Sequence, residues 1–250
     1  MENIKIFGTR VDKVTLEKAI EMVEEFLQGD RLKTIYTPNT EIIMAAKEDE
    51  DLKEILNNGD MIIPDGIGLI YASKIKKKPL PERVTGFDLS MKMIELANRK
   101  GYSIFLLGEE GIAKKAGEII IRNNPNVKIA GYNNGYFKGA HIGLKGHEEE
   151  LEVLDKINKA NPDILFVGFG APKQEKWIDL YKDRLNCKVA IGNGGTMDIL
   201  AGKVKRAPEI YQRLGLEWFY RLIKEPSRIK RQVVLPRFML KVIFGKNVVE

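Results

Sequence analysis

The chain has 250 residues, 44% of them hydrophobic and 30% charged, a formal net charge of +6, and one cysteine, Cys187. That length and apolar share exclude a disordered or fibrous chain, and a lone cysteine excludes an intramolecular disulfide or a thiolate zinc cluster. The charge is uneven: residues 203–250 carry 12 Lys/Arg against 4 Asp/Glu, a net of +8, while residues 1–202 carry 29 against 31, a net of −2. A basic end on a near-neutral body predicts an anionic partner, either a phospholipid surface or nucleic acid.

In chain order, residues 3–7 and 10–14 around Gly8-Thr9 predict a small hairpin, and Thr15 opens an amphipathic helix to about Gln28. An alternation follows. Short apolar, β-branched runs at 33–37, 60–64, 102–108, 127–132, 163–170 and 187–195 predict buried strands. Helix-period segments lie between most of them, at 40–57, 66–75, 87–100, 111–123, 148–160 and 172–183. The expected fold class is α/β: a Rossmann-like, mostly parallel sheet with helices on both faces. Residues 1–202 form the catalytic domain in this reading, and residues 203–250 a basic, amphipathic helical appendage in which Pro226 and Pro236 interrupt or start helices. No N-terminal apolar run and no membrane-length apolar run is present, which predicts a cytoplasmic protein.

Ligands of open α/β sheets bind beyond the carboxyl ends of the strands. Those ends read Thr37-Pro38-Asn39, Pro64-Asp65-Gly66, Gly108-Glu109-Glu110-Gly111, Gly168-Phe169-Gly170-Ala171-Pro172-Lys173-Gln174 and Gly192-Asn193-Gly194-Gly195-Thr196. Small residues and helix N-termini there suit a nucleotide diphosphate, although no complete dinucleotide or P-loop glycine motif occurs. Read locally, Asp65 caps the helix that follows it. Asp49-Glu50-Asp51 reads as a solvated helix start with no metal role, and His141 and His147 as solvent-facing loop residues. No cofactor and no metal site is expected. In the appendage, aromatic and basic residues share amphipathic helices, the pattern of an interfacial membrane binder. Its aromatics are embedded in continuous apolar faces, unlike stacking platforms for bases, so no nucleic-acid partner is expected.

The motifs "TPNTEIIMAA", "PDGIGLIYA", "LPERVTGFDL", "FLLGEEG", "VGFGAPKQEKWI" and "GGTMDILAGKVKRAPE", in this order and spacing, resemble the WecG/TagA/CpsF glycosyltransferases from about Ile4 into the tail. The resemblance implies transfer of N-acetylmannosamine from its UDP derivative to undecaprenyl-diphosphate-linked N-acetylglucosamine. It further implies inversion to a β-1,4 bond, no metal, and work at the inner membrane face with a C-terminal appendage that completes the site. Related members use other UDP-sugars, such as a mannosaminuronic acid or glucose. By the same resemblance Asp65 is the base, and Thr37, Asn39 and Gln174 hold donor sugar or diphosphate. Gly108, Tyr136, Gly194 and Asp198 form the UDP pocket, and Arg83, Arg221, Arg228 and Arg231 meet the phosphates. Residues 221, 228 and 231 would share a face only on a continuous helix, which Pro226 interrupts. Two departures from the family pattern stand out: Asn193, where a small apolar residue is expected, and a long turn at 138–150. A homo-oligomer is the default expectation.

Overall fold

Asn3–Ile6 (β1) and Thr9–Asp12 (β2) pair antiparallel with Ile6 opposite Thr9, so Phe7 and Gly8 alone make the turn. Both have positive φ, 50° and 80°, the mirror-image turn geometry whose twist matches a hairpin. The computed structural model describes residues 1–109 and 111–250, with side chains throughout except at Arg228, Lys230 and Gln232.

Lys33–Tyr36 (β3), Met61–Ile62 (β4), Ser103–Gly108 (β5), Lys128–Asn134 (β6), Ile164–Val167 (β7) and Val189–Gly192 (β8) form one sheet in the order β4-β3-β8-β7-β5-β6. Every neighbouring pair is parallel. Successive side chains on a strand face opposite ways: Ile164 and Phe166 of β7 enter one core, with Leu89, Met93 and Leu106, and Leu165 and Val167 enter the other, with Phe105, Trp177 and Ile178. Both faces are covered, and this is why the strands carry continuous apolar runs. The fold is therefore the expected α/β class with its N-terminal hairpin. The strands are shorter than the apolar runs suggest, because Gly168-Phe169-Gly170 after β7 is loop and Gly194–Leu200 after β8 is a helix that was not anticipated.

The single helix expected over 40–57 is two, Thr40–Glu48 and Glu50–Asn57. Asp49 breaks it at φ −126° and ψ 98°; its carboxylate accepts the Leu52 N–H at 3.0 Å and pairs with Lys176 at 2.6 Å. Both histidines differ from expectation. His141 stacks on Phe169 at 4.6 Å against Phe137, and His147 Nδ1 accepts the Glu149 N–H at the start of helix Glu148–Ala160. The long turn between them is organised by buried Glu150, whose carboxylate accepts the Ala140 and Gly146 N–H groups (2.7 Å each), Trp177 Nε1 (3.0 Å) and the Tyr181 hydroxyl (2.5 Å). Burial works to raise its pKa, yet those bonds hold the group below the ordinary carboxylate value.

The tail runs through helices Glu209–Arg213 and Glu217–Lys224, a turn Pro226–Arg228, and helices Ile229–Gln232 and Val234–Phe244. Pro226 starts its turn, and Pro236 falls in the first turn of the last helix, where no amide hydrogen is needed. Glu225, at φ −132° and ψ 80°, ends the helix that holds residue 221, so residues 221 and 228 share no continuous helix. The last helix buries Phe238 and Val242 with Ile4, Ile6, Ile43 and Leu69, packing on helices Thr40–Glu48 and Ile67–Ile75. The chain end then returns to β1, where Lys5 and Glu250 exchange N–H to carbonyl bonds at 2.8 and 2.9 Å. Among the described residues no helix is long and apolar enough to cross a membrane.

Candidate active site

A cleft of about 430 Å³ opens over the carboxyl ends of β3, β4, β7 and β8. Parallel pairing points these strand ends the same way, which brings together loops that are far apart in sequence. Asp65, Thr37, Asn39, Arg83, Tyr136, Gln174, Gly194, Asp198, Arg221 and Arg231 all line it. Gly108 lies one layer back: a Cβ there would fall 2.7 Å from Met197 Cε, and its carbonyl accepts the Gly135 N–H at 2.6 Å. The side chain of Arg228 is outside the described residues.

Asp65 is not the cap of its helix. Helix Ile67–Ile75 starts from Gly66 with no side-chain cap, and the Asp65 carboxylate reaches across to accept the Gly86 N–H at 3.1 Å. Gly86 opens helix Gly86–Lys100, which Thr85 caps through the Asp88 N–H, so a second helix start fixes the carboxylate. Burial pushes the Asp65 pKa up to about 6, against the pull of the Gly86 N–H and the positive charges of Arg83 and Arg221. A carboxylate in that range can accept a proton near neutral pH. Gly66 and Gly68 allow close packing at this corner. Their Cβ atoms would fall 3.0 Å from Asn39 Cα and 2.6 Å from Thr40 Cγ2.

Asn39 caps helix Thr40–Glu48, its Oδ1 accepting the Glu41 and Ile42 N–H groups, which turns its amide NH2 into the end offered for donation. Gln174 is likewise oriented: its Oε1 accepts the Gly170 N–H at 3.2 Å, and its Nε2 donates to buried Glu175 at 3.0 Å. Burial pushes the Glu175 pKa up to about 7. Gln174 owes its place to Gly192, where a Cβ would fall 2.3 Å from Nε2. Gly192→Ala is expected to displace the amide and lower kcat by up to about 10²-fold. The clash takes in Nε2, Cδ and Cγ of a buried, hydrogen-bonded side chain, so the melting temperature should fall as well. Steady-state kinetics and thermal melts on one sample check both.

The cationic side of the cleft is larger than the sequence suggested. Arg206 pairs with Asp88 at 2.8 Å, lies 4.4 Å from the centre of the Phe87 ring, and stands 3.6 Å from Glu217. Glu217, on the tail, also pairs with Arg83. Arg221 approaches Gly195, with its Nη1 3.9 Å from where a Cβ would stand, and Arg231 pairs with Glu41 at 3.0 Å. Arg206 and Glu217 were missed. Arg206 was visible only as one basic residue among several in "GKVKRAPE", and nothing local marks Glu217. Asn193, noted as a departure, is buried on the cleft wall with Ser90 Oγ 3.0 Å from its Oδ1, and Ser90 also donates to the Gly86 carbonyl at 2.6 Å. Asn193 is thus tied through Ser90 and Gly86 to the backbone that holds Asp65. Among the described residues no three His, Cys, Asp or Glu side chains stand together as a metal site.

A parallel α/β sheet with a strand-end cleft, lined by a carboxylate whose pKa burial raises to about 6 and by several guanidinium groups, suits an enzyme that takes a proton from one substrate and meets phosphate on another. The model of the Glycosyl transferase WecG/TagA/CpsF family matches residues 4–248, and the chain belongs to this family of glycosyltransferases. It is 40% identical to a Bacillus subtilis (strain 168) protein over 210 residues, 84% of this chain and 78% of the relative. A Bacillus spizizenii relative is 35% identical over 219 residues, 87% of this chain and 81% of its own length. One from Staphylococcus aureus (strain MRSA252) is 32% identical over 247 residues, covering 98% and 93%. All three are named N-acetylglucosaminyldiphosphoundecaprenol N-acetyl-beta-D-mannosaminyltransferase.

Proposed function

We propose that the protein transfers N-acetylmannosamine from UDP-N-acetylmannosamine to the 4-hydroxyl of N-acetylglucosaminyl-diphospho-undecaprenol. This would be the β-1,4 step of wall teichoic acid linkage-unit synthesis, with inversion at the anomeric carbon. The observation that carries the reading is Asp65. It is a carboxylate held by a backbone N–H at the cleft floor with a pKa of about 6, beside arginines suited to phosphate. The names of the relatives support the acceptor, and the family supports the reaction class.

In this mechanism Asp65 takes the proton from the acceptor hydroxyl as that oxygen attacks the anomeric carbon, and UDP departs on the opposite side. UDP is a good enough leaving group to need no general acid. Thr37, the Asn39 amide and Gln174 orient the donor sugar and diphosphate. Tyr136 stacks on uracil, Asp198 accepts from base or ribose, and Gly108 and Gly194 leave space for the nucleotide. Arg83, Arg221, Arg228 and Arg231 neutralise the charge that develops on UDP and the charge of the lipid diphosphate, and no metal is needed. Arg206 joins this set by its position beside Arg83 and Glu217. Residues 203–250 act as the part that completes the site and meets an anionic membrane at its cytoplasmic face; Phe219, Ile223 and Ile229 are exposed there among basic residues.

A panel of UDP-sugars with a short-chain lipid-diphosphate acceptor tests the assignment. Turnover with UDP-N-acetylmannosamine and a β-linked product is expected. Turnover with UDP-glucose or a UDP-mannosaminuronic acid instead would keep the fold and site but replace the donor. No transfer from any UDP-sugar would remove the reading.

A further inference from the structure

The last helix, Val234–Phe244, lies alongside helix Ile67–Ile75, which belongs to the catalytic body. At one end, the Cβ position of Gly68 lies 3.2 Å from Leu235, and both Ile67 and Leu235 line the cleft. At the other end Lys76 Nζ donates to the Gly245 carbonyl at 2.9 Å. The two helices therefore run parallel, from the mouth of the cleft outward, for about 13 Å on the body side.

Each presents one unpartnered stripe. On helix Ile67–Ile75 the exposed positions are Tyr71, Lys74 and Ile75, three to four residues apart and so on one face. Tyr71 and Ile75 are each 45% exposed. On the last helix Phe238 and Val242 are fully buried, and the face away from them carries Leu240, Ile243 and Phe244, which is 79% exposed. Exposed Lys77 and Lys78 follow the body helix directly. Their backbone is fixed: the Lys78 N–H bonds the Ser73 carbonyl at 2.9 Å, and the Leu80 N–H bonds Ser73 Oγ at 3.0 Å. Among the described residues none of Lys74, Lys77 and Lys78 is in an ion pair. Aliphatic and aromatic side chains interleaved with unpaired lysines on a fixed surface match the boundary between acyl chains and anionic headgroups.

We infer that an anionic bilayer docks on this two-helix face, with Tyr71, Lys74, Ile75, Lys77 and Lys78 of the catalytic body forming one half of the contact and Leu240, Ile243 and Phe244 of the last helix the other. The membrane contact is then not confined to the basic appendage. The face begins at the cleft mouth, so docking there turns the cleft toward headgroup level. Only this last point rests on the lipid-linked acceptor proposed above; the docking itself does not.

The test is flotation of the full chain, at physiological salt, with vesicles of equimolar phosphatidylglycerol and phosphatidylcholine. One lysine near an anionic leaflet is worth about fivefold in partitioning. The variant Lys74→Glu/Lys77→Glu/Lys78→Glu is expected to lower partitioning at least about fivefold, with the Lys→Gln triple intermediate and both melting like the parent. A smaller fall in the Glu triple overturns the inference. So does equal binding of the parent to pure phosphatidylcholine, or a loss confined to duplex DNA binding while vesicle binding is kept. Transfer to a water-soluble short-chain acceptor should be unchanged in both variants. If the parent shows no transfer at all, the catalytic reading fails while the vesicle result still decides the docking face.

Discussion

Asp65→Asn is expected to abolish transfer, with a loss of about 10²–10⁴-fold or more, while UDP binding survives, because the lost group acts on the acceptor hydroxyl. In the parent, kcat/KM should fall as pH drops through about 6, the value to which burial pushes this carboxyl. The same substitution is expected to stabilise the fold. The folded pKa lies above the ordinary 3.8, so the stability this group contributes is fully present below about pH 4 and is lost as pH rises through about 6. At neutral pH the buried charge is a net cost of about 2 kcal/mol after allowance for screening through the open cleft. Removing it should raise Tm by about 4–8 °C. An inactive variant that melts higher would mark Asp65 as a group kept for chemistry at the expense of stability. Retained transfer in the variant would take Asp65 out of the base role.

The second large effect is expected at Phe238. This ring is fully buried, meets Phe7 edge-on at 5.6 Å, and packs in the cluster that joins hairpin, body and last helix. Phe238→Ala removes a large apolar side chain from a site walled by three separate segments. The expected cost is about 3–5 kcal/mol, and Tm should fall by about 8–15 °C. Phe244→Ala, on the exposed side of the same helix, should leave Tm nearly unchanged. Thermal melts of the two variants side by side check the contrast. Equal melting would show that the last helix does not pack as described.

Much of the fold was legible because the parallel sheet buries both faces. Strands such as "ILFV" of β7 must then be apolar throughout, and such runs stand out against the helical period between them. Where local chemistry competes with pattern, periodicity misled: the apolar period runs unbroken over 40–57, although Asp49-Glu50-Asp51 reads correctly as a helix start, and "GGTMDILAG" follows a strand so closely that its helix was hidden by the glycines.

The site was legible to a lesser depth. Strand-end loops, with Asp65 and Gln174 in them, could be placed from position, because parallel strands necessarily deliver their carboxyl ends to one rim, while the arginines were named only through the resemblance. The amino-acid sequence by itself determined the fold class, the strand-end loops that form the rim and the basic character of the tail, all of which follow from patterns within a few residues of one another. Only the tertiary structure decided that Asp65 is held by Gly86 rather than capping its own helix, that Glu217 of the tail sits between Arg83 and Arg206, and that the last helix lies beside Ile67–Ile75. These contacts join residues from 11 positions apart, for Arg206 and Glu217, to about 170, and such partners are selected by packing and topology, which no local periodicity encodes.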